Sequence, residues 1–233
     1  MYDRQIGISV LTNGQRLSAL QSCLGSLLAF SYYRPVVFGI FNNGSTDGTR
    51  KWLDDWVASK DNPWKYGVTF RVQHSDSDLG CAAGTNGSIK LVGDTEYHIH
   101  LESDFSHISP EESGISRLWV RDAINLLESG DADYIYLRKL RSDAEMAMHW
   151  FHQWKEKIVE ERPPFKRVDG FWWSNNPSIF RMSAMLKSGT LPLDEKKDGA
   201  KGTPNWSAPE LLAPRPTKTW MWGYGNGMFV HEG

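Results

Sequence analysis

The chain has 233 residues, which is long enough for one well-buried core and does not require a second domain. Its 26 basic and 28 acidic residues nearly cancel without a marked run of Lys or Arg, which disfavours nucleic acid as a partner. No segment reaches the roughly 18 to 20 apolar residues of a membrane span, and two cysteines without CxxC spacing indicate a reducing compartment. Because the N-terminus also lacks the layout of a signal peptide, we expect a cytoplasmic protein.

Strands and helices are predicted to alternate through the first half of the chain. Continuous apolar runs predict four strands, at Gln5–Leu11, Val36–Phe41, Val68–Val72 and Tyr97–Leu101. Apolar residues at helical spacing follow the first two runs, and Ala82–Leu91 predicts a helix after the third. This order predicts a parallel sheet covered on both faces, with a ligand site beyond the carboxyl ends of its strands.

The second half of the chain has weaker patterns. Leu118–Leu127 predicts a helix and Tyr134–Leu137 a strand, whereas Ala144–Glu161 is compatible with a helix that ends before Pro163-Pro164. From Phe165 onward, Gly, Pro, Asn and Trp dominate and regular periodicity is weak. We interpret that part as loops around an edge of the same sheet.

Polar residues follow three of the predicted strands. They are Thr12-Asn13, Asn42-Asn43 and Glu102-Ser103-Asp104. Side chains two apart on an extended strand face one way, so the carboxylates of Glu102 and Asp104 could bind one hard cation that also holds a diphosphate. The alternative is a strand end with two solvated acids. On the same strand, His98 and His100 alternate with apolar residues, which favours a structural role.

Several segments resemble motifs of the family 2 glycosyltransferases, in the order in which that family has them. They are Asn42–Thr49 after the second strand, the Gly/Ala-rich Leu79–Ile89, the acidic Glu102-Ser103-Asp104, Leu191–Glu195, Glu210-Leu211-Leu212 and the closing Gly227–His231. The resemblance covers nearly the whole chain and implies one GT-A domain over 1–233. In this α/β fold, a mostly parallel central sheet has helices on both faces, with a nucleotide-sugar-binding half at about 1–107 and an acceptor-binding half at about 108–233.

The resemblance also implies a reaction. A sugar would pass from a nucleoside diphosphate sugar of the UDP or GDP type to a hydroxyl of a carbohydrate or glycoconjugate acceptor, usually with inversion at the anomeric carbon. A carboxylate would deprotonate that hydroxyl, and a divalent metal, Mn²⁺ or Mg²⁺, would stabilise the departing diphosphate.

The resemblance assigns metal and donor contacts to particular residues. Asp104 is the implied metal ligand, Glu102 contacts the ribose or the metal through water, and His231 is the candidate third ligand. The implied donor contacts are Thr12, Asn13, Asn43, Gly80, Asn86, Glu102, Ser103 and Asp104. Two positions depart from the family: Asn43 stands where an Asp usually contacts the nucleotide base, and Thr85 stands where many relatives carry Arg or Lys. We therefore expect the metal to meet more of the diphosphate charge.

Glu210 is the candidate catalytic base, with Asp194 and Asp169 as reserves. Glu210 could instead be an acid that is favoured at a helix N-terminus after Ala208-Pro209. The implied acceptor contacts are Asp169, Trp172, Trp173 and Asn176. Indole rings can stack on a sugar, although the two tryptophans could equally cap the core.

Two rival functions fit parts of the pattern. A nucleotidyltransferase of sugar phosphates would need a Gly-rich, basic loop directly after the first strand, for which Thr12–Arg16 is a weak match. A non-catalytic carbohydrate-binding protein would use the Trp-rich second half. Binding alone, however, requires none of Asp104, Glu210 and His231.

Overall fold

The strands and helices of the first half alternate as the sequence predicts, with ends that differ by a few residues. The computed structural model describes residues 4–31, 33, 36–59, 66–139, 158–168, 177–184, 219–222 and 227–232. The first half consists of β1 Ile6–Asn13, α1 Leu17–Phe30, β2 Val36–Asn43, α2 Thr49–Ala58, β3 Val68–Ser75, α3 Cys81–Lys90 and β4 Tyr97–Glu102. The second half contains β5 Phe105–His107, α4 Pro110–Ser113, α5 Trp119–Glu128, β6 Tyr134–Tyr136, β7 Ile158–Arg162, β8 Phe165–Val168, β9 Ser178–Arg181, β10 Thr219–Trp222 and β11 Phe229–His231. None of the helices in these ranges is long and apolar enough to cross a membrane.

Nine of the described strands form one sheet, in the order β3-β2-β1-β4-β9-β6-β10-β8-β7. Strand β1 pairs in parallel with β2 and β4, β2 pairs in parallel with β3, and β6 pairs in parallel with β10. Strand β9 is antiparallel to β4 and β6, and β8 is antiparallel to β10 and β7. All strands of this sheet except β8 and β9 therefore share one direction, which confirms the mostly parallel α/β sheet. Strands β5 and β11 form a separate antiparallel pair.

Strand β1 is buried on both faces because helices cover both sides of the sheet. Ile8 and Val10 belong to one core cluster with Leu24 of α1. On the opposite face, the chain that follows α3 packs against Gly39 of β2, where an added Cβ would lie 2.7 Å from the Cβ of Leu91. Glycine at this position therefore allows α3 to lie close to the sheet.

Two expectations about the second half are wrong. Residues 158–161 do not continue a helix, because they belong to β7, which pairs antiparallel with β8; residues 144–157 lie outside the described part. Ile158 and Val159 are β-branched, and the Pro163-Pro164 turn lets the chain fold back as a hairpin. The part after Phe165 also does more than form loops at an edge, since β9 lies inside the sheet between β4 and β6. A strand of four residues is too short for periodicity to reveal it.

Candidate active site

The carboxyl ends of β1, β2 and β4 meet at one edge of the sheet. The register pairs Thr12 with Asn42, Asn13 with Asn43, and Leu11 with Glu102. The polar residues at the strand ends are therefore neighbours, as expected for a ligand site beyond the carboxyl ends of parallel strands.

Asp104 lies in the turn between β4 and β5, where the extended strand has already ended. Strand β4 ends at Glu102, and the backbone N–H of Ser103 donates to the carbonyl of Leu11 at 2.8 Å. The premise that Glu102 and Asp104 share one face of an extended strand is therefore wrong. A short turn presents the Asp104 carboxylate instead, and its side chain is only 10% exposed.

Pairing of β5 with β11 brings His231 to Asp104. His231 pairs with Phe105 in the strand register, and the N–H of Glu232 donates to the backbone carbonyl of Asp104 at 2.8 Å. The Nε2 atom of His231 lies 3.3 Å from Oδ2 of Asp104. The structure thus brings together two of the three residues that the resemblance implies as metal ligands.

Arg16 is the residue at this edge that sequence reasoning missed. It is the N-cap residue of α1, and its Nη1 atom lies 2.5 Å from Oδ2 of Asp104. In the sequence, Arg16 appeared only as part of a weak phosphate-loop match. A signal was present, because Arg16 follows the polar Thr12-Asn13-Gly14 turn at a strand end.

Several buried polar atoms at this edge have no hydrogen-bond partner within the described residues. They are Oδ1 of Asp104, Oγ1 of Thr12 and Oγ of Ser103. A buried carboxylate oxygen without a partner is costly, so Oδ1 of Asp104 is suited to a cation or a donor group brought by a ligand.

A complete three-residue metal site is not formed by the described side chains. No group of three or more His, Cys, Asp or Glu residues in the described ranges is arranged to hold a metal ion. Asp104 and His231 form a pair, and the metal role of Glu102 stays a prediction.

The Asn43 amide holds the loop that precedes α3. Its Nδ2 group donates to Oδ1 of Asp78 at 2.7 Å and to the carbonyl of Gly80 at 3.2 Å, and its Oδ1 accepts from the N–H of Leu79 at 2.9 Å. Both hydrogens and the oxygen of this buried amide are therefore engaged by the protein itself. A contact from Asn43 to a nucleotide base stays a prediction and would require exchange of one of these bonds.

The start of α3 packs closely under the strand ends. Gly80 has a φ of 83°, and its N–H donates to Oδ1 of Asp78 at 2.8 Å. A Cβ at Gly84 would lie 2.8 Å from Cδ1 of Leu11, so a small residue is needed there. Asn86 is half-buried on this helix, and Thr85 is fully buried, which leaves no cation at the position where many relatives carry one.

Asp47 connects the Asn42–Thr49 loop to α1. Its carboxylate accepts hydrogen bonds from the N–H of Leu17 at 2.8 Å and from the hydroxyl of Thr49 at 2.5 Å. Burial by itself would raise the pKa of Asp47, but these hydrogen bonds together outweigh it and the pKa lies below its usual value. Asp47 thus fixes the start of α1, from which Arg16 reaches Asp104.

His98 and His100 are buried inside the sheet, as expected for a structural role. Nε2 of His98 and Nδ1 of His100 each lie 2.8 Å from the hydroxyl of Ser9. Burial lowers the pKa of His98 well below its usual value and lowers the pKa of His100 to about 3. Both rings are therefore neutral at pH 7 and hold β1 against β4.

The remaining predicted site residues lie outside the described residues. They are the candidate bases Glu210 and Asp194, and the acceptor contacts Asp169, Trp172, Trp173 and Asn176. Their roles stay predictions.

The fold is that of the GT-A glycosyltransferases, and it matches solved structures over the full chain. One match is the mannosyltransferase PcManGT from Pyrobaculum calidifontis in complex with GDP-Man and Mn²⁺, at a TM-score of 0.62 and 11% identity over 100% of this chain and 58% of the other. Another is Staphylococcus aureus TarS 1-349 in complex with UDP, at a TM-score of 0.58 and 12% identity over 97% of this chain and 60% of the other. The TarS 1-349 complex with UDP-GlcNAc matches at a TM-score of 0.57 and 12% identity, over 97% of this chain and 58% of the other.

This similarity establishes the fold alone. The chain spans 58% to 60% of the length of these three solved chains. No protein-family model matches the sequence, and no curated protein matches it significantly.

Proposed function

We propose that the protein is a metal-dependent glycosyltransferase that transfers a sugar from a nucleoside diphosphate sugar to a hydroxyl acceptor with inversion. The observation that carries this proposal is the meeting of Asp104 and His231 at the carboxyl edge of a GT-A sheet. These two residues come from distant parts of the chain, and neither the nine-stranded sheet nor the β5–β11 pair requires a carboxylate and an imidazole to face each other there.

Asp104 and His231 are the residues that would hold the metal. Oδ1 of Asp104 is buried and has no hydrogen-bond partner within the described residues, so a bound cation would satisfy it. A carboxylate oxygen with an imidazole nitrogen favours Mn²⁺ over Mg²⁺, which prefers oxygen ligands alone. When bound, the cation would neutralise the diphosphate leaving group.

The donor would lie across the ends of β1, β2 and β4. The buried hydroxyls of Thr12 and Ser103 have no partner within the described residues and suit contacts to the donor. PcManGT is in complex with GDP-Man, and TarS 1-349 with UDP or UDP-GlcNAc, which supports a donor of the UDP or GDP type here. Asn13, Gly80 and Asn86 are further proposed donor contacts.

Glu210 is the proposed base that accepts the proton of the acceptor hydroxyl, with Asp194 in reserve. A carbohydrate or glycoconjugate acceptor would bind against Trp172 and Trp173, because indole faces match the apolar face of a sugar ring. Asp169 and Asn176 would hydrogen-bond its hydroxyls.

Release of nucleoside diphosphate from a panel of UDP- and GDP-sugars tests the proposal, with acceptor sugars present and either Mn²⁺ or EDTA added. We expect Mn²⁺-dependent release, and we expect Asp104→Asn to lower it by about 100-fold or more. Asp94→Asn is the matched control, because Asp94 pairs with Arg71 before β4 begins, at the opposite end of that strand. Release by Asp104→Asn at the wild-type rate would overturn the proposal.

Two further assays separate the rival functions. Pyrophosphate formed from a nucleoside triphosphate and a sugar phosphate would indicate a nucleotidyltransferase. Sugar binding that is equal in Mn²⁺ and EDTA, without turnover of any donor, would indicate a carbohydrate-binding protein.

A further inference from the structure

The guanidinium of Arg16 is bound to the carboxylate that the proposed metal would need. Nη1 of Arg16 lies 2.5 Å from Oδ2 of Asp104, the same oxygen that His231 approaches at 3.3 Å. The Asp104 side chain is 10% exposed and that of Arg16 is 34% exposed. The carboxylate is therefore held in place, whereas the arginine has access to solvent on one side.

A divalent cation at Asp104 would meet the positive charge of Arg16 at short range. Arginine stays protonated at any pH a folded protein experiences, so it cannot lose its charge to make room. Like charges a few ångströms apart repel strongly in a partly buried site. Metal binding to Asp104 is thus opposed by Arg16 unless the guanidinium moves to another anion.

The donor itself would bring that anion. Arg16 stands at the turn after β1, beside the edge where Thr12 and Ser103 present unpartnered hydroxyls within the described part of the chain. A guanidinium binds phosphate oxygens with two parallel hydrogen bonds. Because Thr85 supplies no cation from α3, the charge of Arg16 would help to neutralise a diphosphate at this edge.

We propose that Arg16 is the resident counter-ion of Asp104. On binding to Asp104, the metal displaces Arg16, and the guanidinium then binds the donor diphosphate. This inference rests on the proposed function. Metal alone binds weakly, because Arg16 competes for Asp104. Metal and nucleotide strengthen each other's binding, because the diphosphate receives the displaced guanidinium.

The competition between Arg16 and the metal is tested by titrating Mn²⁺ into the protein without nucleotide. The electron paramagnetic resonance signal of free Mn²⁺ follows the binding. We expect Arg16→Gln to bind Mn²⁺ about tenfold or more tightly than wild type, because the competing charge is gone. Arg16→Lys keeps a charge and should bind Mn²⁺ more weakly than Arg16→Gln. Arg50→Gln is the control, since Arg50 pairs with Asp76 on the surface, and its Mn²⁺ affinity should equal that of wild type.

Binding of the displaced Arg16 to the diphosphate is tested by calorimetric titration of UDP and GDP in saturating Mn²⁺. Arg16→Gln should bind the preferred nucleotide about tenfold more weakly than wild type and Arg50→Gln. Circular dichroism melting checks that each variant is folded. If Arg16→Gln is unfolded, the affinities of Arg16→Lys are compared with those of wild type instead.

Equal or weaker Mn²⁺ binding by Arg16→Gln, no Mn²⁺ binding by any variant, or unchanged nucleotide binding would each overturn the inference. Failure of the proposed function looks different. If Arg16→Gln shows both expected shifts but no donor sugar is transferred by wild type, the counter-ion role stands and glycosyl transfer is refuted. If wild type transfers sugar while Arg16→Gln matches its Mn²⁺ affinity, only the counter-ion role fails.

Discussion

Because three histidines are buried, we expect the folded protein to lose stability as the pH falls from 7.5 to 5. Burial lowers the pKa of His100 to about 3 and that of His107 to about 4, and it also lowers the pKa of His98 well below its usual value. In the unfolded chain, each ring titrates at its ordinary value of about 6.5. Below that pH the unfolded state binds more protons than the folded state, so the free energy of unfolding falls as the pH falls.

The size of the effect follows from these pKa values. At pH 5, each histidine whose folded pKa is 4 or lower lowers the free energy of unfolding by about 2 kcal/mol. For His100 and His107 together, the decrease is about 4 kcal/mol. His98 acts in the same direction. A loss of this size is a large part of the roughly 5 to 15 kcal/mol that stabilises a typical domain. The loss should begin near pH 6.5 and continue until the folded protein itself takes up protons, near pH 4.

Urea unfolding at pH 7.5 and pH 5.0 measures this change. In His100→Gln, the difference between the two pH values should be smaller than in wild type by about 2 kcal/mol, whatever the absolute stability of the variant. Asp94→Asn should leave the difference unchanged, because carboxylates in an unfolded chain titrate below this window. Wild-type stability that is equal at the two pH values would refute the burial argument, and so would an unchanged difference in His100→Gln.

Three further predictions concern packing, the site loop and the base. Gly39→Ala should lower the free energy of unfolding by about 1 to 3 kcal/mol, because the added Cβ would overlap Leu91. Gly25→Ala in α1 should raise the free energy of unfolding by about 0.5 to 1 kcal/mol, because the added Cβ meets nothing within 4 Å. Urea unfolding compares the two variants. Asn43→Ala should cost about 1 to 3 kcal/mol by the same measurement and speed proteolysis of the loop before α3, since the buried amide ties down that loop; unchanged proteolysis would contradict this. Glu210→Gln should keep the nucleotide affinity of wild type in calorimetry but lose transfer, and normal transfer by this variant would rule it out as the base.

The described residues connect the resemblance motif to the candidate metal site through a chain of contacts. Asp47 of the Asn42–Thr49 loop accepts from the N–H of Leu17, Leu17 follows Arg16, and Arg16 pairs with Asp104. The loop is thus held to α1 by a carboxylate at its far end. The loop therefore acts on the site partly indirectly, because it fixes the start of α1 and with it the position of Arg16.

Most elements of the first half could be predicted from the sequence because the forces that define them are local. Strand β2 begins with a run of apolar residues that has to be buried on both faces, and its last two residues are Asn42 and Asn43. Helix α1 follows from leucines spaced to cover one side of the sheet. The polar strand ends follow from the same pattern, so the edge that carries the candidate site was predictable as well.

Only the tertiary structure decided which side chains meet at that edge. Asp104 reaches His231 because β5 pairs with β11, and it reaches Arg16 because β1 pairs with β4 and α1 starts beside the β4–β5 turn. Pairings between distant segments leave no periodic trace in the sequence, which is why β9 inside the sheet was missed and Arg16 was not assigned to the site. Local pattern specified the strands and their polar ends, and non-local pairing specified the charges that face one another.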